Sequence, residues 1–153
     1  MARNDSTTTL DPVVPTRRPR PAMTRRLRRA VELASADPQP RVLLAFALRA
    51  QDDLVGAVAR LDEALALGAG FEVRRAKALW LLEAGRRAEA VKEAELVLKA
   101  SPGDAAALWV RARARAAEGR KADALKDLAA LEAASAPDAF AARAARAWAK
   151  VLR

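Results

Sequence analysis

The sequence predicts an all-α fold, and three observations carry that expectation. Alanine supplies 41 of the 153 residues and, with Leu, Arg and Glu, dominates the chain; these side chains lose little on entering a helix. There is no Ile and no Tyr, every Thr lies at or before Thr24, and Val is the only β-branched residue after it, so strand formers are scarce. Gly, Pro and Asp recur between short amphipathic runs, the punctuation of many short helices. Hydrophobic residues make up 52% of the chain, but so many are alanine that they suffice for one modest core or a thin layered array, not two domains.

The elements follow in order from the N-terminus. Residues 1–23 carry Pro12, Pro15, Pro19 and Pro21 among Thr and Arg, with little to bury and repeated helix breakers, and are expected to be a disordered arm. Thr24 can cap a first helix over 24–36 with Leu27, Ala30, Val31 and Ala34 on one face, ended by Asp37-Pro38-Gln39-Pro40. Further helices are expected over about 40–50, 54–67, 71–84, 87–100, 104–118, 121–134 and 138–152. The stops between them are Gln51-Asp52-Asp53, Gly68-Ala69-Gly70, Gly85, Ser101-Pro102-Gly103-Asp104, Gly119 and Pro137. Such short connectors make sequential helices antiparallel neighbours. The last helix should bury Phe140, Ala144, Trp148 and Val151 or Leu152 and turn Arg143, Arg146, Lys150 and Arg153 to water.

These helices repeat in pairs. Gly85 and Gly119 are 34 residues apart, as are Ala78 and Ala112, Ala90 and Ala124, and Val97 and Leu131. At a spacing of 33, Ala45, Leu48, Ala57, Val58, Leu61 and Ala64 fall on the matching places upstream. A helix-pair period of this length is what a solenoid of stacked hairpins requires, because one pair cannot bury its faces without a neighbour.

Residues 71–104, with small Ala78 and bulky Leu81 in the first helix, Gly85 at the turn, Glu89-Ala90-Val91 opening the second helix and Pro102 closing the unit, resemble a tetratricopeptide repeat. Residues 105–138 keep Ala112, Gly119 and Asp123-Ala124-Leu125; residues 38–70 keep Ala45, Leu48, Ala57-Val58 and Leu61, with Asp52 where the turn glycine belongs. The resemblance implies a right-handed α-α superhelix of about three repeats, flanked by an N-terminal helix and a capping helix over 139–153. This sequence departs from the family pattern where Arg74, Lys77, Arg111 and Arg115 stand in first-helix positions usually aromatic or leucine. Two accounts of Lys77 and Arg111 are open: basic stems lying over an alanine seam with their heads in water, or charges awaiting an acidic partner.

In the family the first helix of each hairpin lines a concave surface. That geometry places Val42, Phe46 and Arg49, then Glu72, Arg75, Leu79 and Leu82, then Trp109 and Arg113 toward a partner. Their apolar members would form an exposed patch, and the arginines would bind carboxylates, so a peptide or helix with apolar and acidic residues is the expected ligand. A register shifted by one residue would instead put Phe46, Leu79 and Trp109 in the core, and the sequence leaves both registers open. The family's Lys/Asn clamp for acidic C-termini is not expected, since Val42, Phe46 and Ala76 occupy its polar places.

Composition narrows the function classes. The absence of His and Cys removes most nucleophile–base pairs, zinc sites, haem ligation and disulfides, so neither enzyme activity nor a metal or cofactor is expected. Asp52-Asp53 and Asp62-Glu63 are adjacent carboxylates whose side chains diverge, and no phosphate-binding glycine loop is present. The net charge of +9 is concentrated at the N-terminus, where residues 1–29 carry eight Arg against Asp5 and Asp11. No apolar run reaches the length of a membrane span or completes an export signal, and a cytoplasmic location is the default expectation. Three classes remain: a non-catalytic adaptor or scaffold for a protein partner, non-specific nucleic-acid or anionic-surface binding through the arginine arm, and a self-associating structural subunit.

Overall fold

The computed structural model describes residues 21–153, in which eight helices account for all regular structure. They are α1 (Pro21–Leu33), α2 (Gln39–Arg49), α3 (Leu54–Ala66), α4 (Phe71–Glu83), α5 (Arg87–Ala100), α6 (Ala105–Ala117), α7 (Lys121–Ala134) and α8 (Phe140–Leu152). Three hairpins, α2–α3, α4–α5 and α6–α7, stack in chain order, with α1 packed on α2 and α8 on α7. The first helices also touch one another, α4 against α6 and α6 against α8. They therefore form one continuous face of the stack.

The hairpin turns show why the repeat closes where it does. Asp52, Gly85 and Gly119 all have a positive φ, at 66°, 75° and 78°. The following amide in each hairpin donates to a carbonyl five residues back: Asp53 to Leu48, Arg86 to Leu81 and Arg120 to Arg115. This is a left-handed helix stop, which glycine adopts without the Cβ clash other residues incur. Asp52 fills the glycine place and adopts glycine's backbone conformation. Asp52→Gly is accordingly expected to stabilise the chain by about 1 kcal/mol, read as a rise of a few degrees, roughly 3 °C, in the thermal midpoint.

The core is thin and rich in alanine. Ala45, Ala57, Ala78, Ala90, Ala112 and Ala124, all at repeat-equivalent places, are fully buried. Their missing side-chain volume lets the two helices of a hairpin approach closely. Leu61, Leu81, Leu108, Leu128 and Leu131 fill the spaces between.

Three sequence expectations need correction at the ends. Helix α1 already includes Pro21, inside the segment expected as arm. The rest of that arm, residues 1–20, lies outside the described residues. Thr24 is no cap: it is buried on α1, and its hydroxyl accepts a hydrogen bond from Gln51 Nε2. In α8 the fully buried side chains are Ala142 and Ala145. Phe140, expected inside, is 79% exposed, because the narrow seam against α7 and α6 admits alanine and leaves this bulkier side chain at its edge; of the pair Val151 or Leu152, Leu152 is the one packed against the core.

Polar contacts also follow the repeat. Arg86 and Glu89 pair at the start of α5, and Arg120 and Asp123 pair at the equivalent start of α7. The hydrogen bond from Arg86 holds the Glu89 carboxyl below the usual range, and that from Arg120 does the same for Asp123. Carboxyls depressed in the folded chain bind protons less readily than in the unfolded chain. The pairs therefore stabilise the fold at neutral pH, and that contribution fades as pH falls through the folded values. Between about pH 5 and about pH 3 the thermal midpoint of the wild type should fall more steeply than that of the Glu89→Gln, Asp123→Asn double variant.

Candidate functional site

The Lys77 and Arg111 places, unusual in sequence, are settled by neighbouring helices. Lys77 Nζ lies 2.6 Å from Asp62 of α3 and is also bonded to Glu93 of α5, whose other oxygen accepts from Arg74 Nη1 at 2.7 Å. Burial would lower the Lys77 pKa, but the hydrogen bonds and charges of Asp62 and Glu93 outweigh it and raise the value above the ordinary one. One repeat later, Arg111 Nη2 and Arg115 Nη1 each donate to Asp127 of α7 at 2.7 Å, and Asp127 is 3% exposed. Both accounts drawn from the sequence are corrected: these heads neither stand in water nor await a partner. Glu93 and Asp127, 34 residues apart, hold them inside the repeats.

The residues expected to face a partner separate into three groups. On α2, Phe46 is 53% exposed and meets the ring of Trp80 edge-on at 5.0 Å. Arg49 stands over the same indole at 5.4 Å and is bonded to Glu83 at 2.6 Å. Val42 is half-buried beside them. Trp80, which anchors this group, is buried, and its role was not read from the sequence.

The second group surrounds an apolar hollow of about 450 Å³ between α4, α6 and α8. Leu79 and Trp109 line it together with Ala105, Ala106, Phe140 and Ala144. Leu79 and Trp109 are half-buried, contributing to the core on one side and to the hollow on the other. The contribution of α8 was missed because an aromatic opening an amphipathic helix reads as a buried anchor. Arg75, expected beside Leu79, is held at the repeat junction, its Nε 2.7 Å from Asp104 Oδ2 at an angle outside hydrogen bonding. Asp104 also caps α6 by accepting from the Ala107 amide.

The third group lines a neighbouring hollow of about 360 Å³ with Leu82, Arg87, Arg113, Trp148 and Leu152. Trp109 and Trp148 lie 5.4 Å apart, and the Arg113 guanidinium stands 5.8 Å from one ring and 5.2 Å from the other. Among the described residues Arg113 has no carboxylate partner, unlike Arg49 and Arg75.

Stacked helical hairpins with a left-handed stop at each turn and buried alanines at each crossing define an all-α helical-repeat protein. The chain has the tetratricopeptide-repeat fold, a right-handed α-α superhelix. Residues 41 to the end of MamA from Desulfovibrio magneticus RS-1 are similar in structure, with a TM-score of 0.71 and 20% identity over 86% of this chain and 82% of that one. The tetratricopeptide-repeat domain of Arabidopsis OM64 is similar with a TM-score of 0.66 and 21% identity, covering 76% of this chain and 93% of that one. YrrB, described as a tetratricopeptide-repeat protein with an unusual peptide-binding site, is similar with a TM-score of 0.63 and 18% identity over 86% and 73% of the two chains. At these identities the likeness is one of fold. No family model matches the sequence, and no curated protein matches it. No described helix is long and apolar enough to cross a membrane.

Proposed function

We propose that the chain is a non-catalytic interaction module, an adaptor or scaffold that holds a protein segment against the face formed by α4, α6 and α8. The observation carrying this reading is the hollow lined by Leu79, Trp109 and Phe140, whose exposed lining is almost wholly apolar. Uncovered apolar surface of this kind gains free energy when a partner's side chain displaces its water. No titratable side chain lines that hollow, and elsewhere in the repeats Asp62, Glu93, Asp104 and Asp127 are tied to basic side chains. A location in the cytoplasm is consistent with such a module and belongs to the same proposal.

Selection of linear peptides from a random library tests the reading. The wild-type chain is expected to enrich peptides carrying a bulky apolar residue, and Leu79→Glu is expected to weaken their binding by tenfold or more (a loss of roughly 1.4 kcal/mol or more). Unchanged helicity by circular dichroism would show that the loss belongs to the hollow. Equal enrichment by wild type and variant would remove the hollow from the site.

A second reading rests on α1. Arg25, Arg26 and Arg28 are exposed there and make no ion pair among the described residues, which favours non-specific contact with a polyanion such as nucleic acid. Such binding should weaken steeply with salt and survive Leu79→Glu. Self-association, the remaining alternative, would show as a mass that rises with concentration in light scattering.

A further inference from the structure

The apolar hollow and its arginine-lined neighbour are displaced from each other along the helices by a regular amount. Leu79 lines the apolar hollow and Leu82 the other; Trp109 and Arg113 divide in the same way, as do Ala144 and Trp148. A step of three or four residues along a helix is about 4.5–6 Å. The hollows also differ in chemistry. No charged side chain lines the first, whereas Arg87 and Arg113 both line the second, and no carboxylate lines either.

Two guanidinium groups sharing one hollow repel each other unless an anion lies between them. The Arg113 guanidinium stands over the indoles of Trp109 and Trp148, at 5.8 and 5.2 Å, and makes no ion pair with a carboxylate among the described residues. A guanidinium edge suits a carboxylate, which can accept two parallel hydrogen bonds from it. The apolar walls Leu82, Trp148 and Leu152 reduce the competition from water.

Resting on the reading of this face as a docking surface, we propose that the second hollow is a carboxylate subsite. The face then selects an extended segment with a bulky apolar side chain and, two residues away, an aspartate or glutamate. The spacing follows from geometry. In an extended chain, residues two apart point to the same side and stand about 6–7 Å from each other, the spacing nearest to the helical step between the hollows, since adjacent residues point to opposite sides and residues four apart stand about 13 Å away. A short linear peptide is expected to bind extended, because isolated helices below about 12 residues are marginal in water.

The experiment is a selection of random heptapeptides on the full chain, followed by synthesis of the best binder as its acetylated amide, so that no terminal carboxylate can substitute. Enriched peptides should share an apolar residue with an acidic residue two positions away. Arg113→Gln should weaken the synthetic peptide roughly tenfold. Replacing the peptide's acidic residue by its amide should weaken binding by a similar factor, and the two changes together should cost no more than either alone. Helicity by circular dichroism should be unchanged, since Arg113 is exposed.

Peptides that enrich without an acidic residue, or with one at another spacing, would overturn the carboxylate subsite while leaving the docking face intact. So would losses that simply add in the double change. Absence of any enriched peptide would overturn the subsite and the docking face together.

Discussion

Asp127→Ala is expected to destabilise the folded chain by about 3–5 kcal/mol, well beyond the cost of losing an exposed ion pair. Asp127 is almost fully buried and accepts from both Arg111 and Arg115. Truncating it removes these charge-assisted hydrogen bonds and leaves two partly buried guanidinium groups repelling each other. In urea denaturation the midpoint should fall with little change in slope, because the folded and unfolded surfaces are otherwise the same. The thermal midpoint should drop by roughly 10–20 °C. A contrasting variant identifies the cause. Replacing Arg111, Asp127 and Arg115 together by apolar residues of similar volume should recover most of the loss, since the cost of desolvating three charges disappears with them. If Asp127→Ala and the triple replacement are equally destabilised, the buried charge is not the cause.

Leu81→Ala should cost about 3 kcal/mol for a different reason. Leu81 is fully buried in α4, at the centre of the middle hairpin, and shares its core with Ala78, Ala90, Ala94 and Val97. Its neighbours are already small, so they cannot swell into the space left behind, and the cavity persists. Leu79 lies two residues away on the same helix, roughly 200° around its axis, and faces the hollow. Leu81→Ala should therefore lower the midpoint of thermal unfolding while leaving peptide binding at low temperature unchanged, whereas Leu79→Glu should weaken binding even in the fully folded chain, whatever smaller fall in the midpoint its half-burial brings. A variant at Leu81 that lost binding in the fully folded chain would contradict this division of α4 into a core side and a docking side.

Much of the architecture was legible because its causes are local. The turn places of Gly85 and Gly119, the substitute Asp52 and the small residues at each helix crossing act within a single hairpin. Their 34-residue recurrence carries that geometry along the chain. Helical spacing left two registers open for Phe46, Leu79 and Trp109; Phe46 is exposed, and Leu79 and Trp109, half-buried beside one hollow, lie between the two.

Other features depended on contacts between elements distant in sequence. Arg111 and Asp127 stand 16 residues apart, on two helices whose relative rotation decides whether they meet or diverge. Lys77 finds Asp62 in the preceding repeat, so its environment exists only once repeats stack. Helix α8 was the least readable. Its pattern marks an amphipathic helix, but the width of the seam it enters is set by Ala142 and Ala145 against the α6–α7 hairpin, and that width leaves Phe140 outside.

What the sequence determined by itself was a period, a helix length, a turn type and a composition poor in catalytic groups, all properties of residues close together in the chain. Only the tertiary structure decided which arginines were already neutralised by a neighbour and which were left facing an open hollow. The physical reason is that an ion pair depends on distances of a few ångströms, and for side chains on different helices those distances are fixed by how the helices pack.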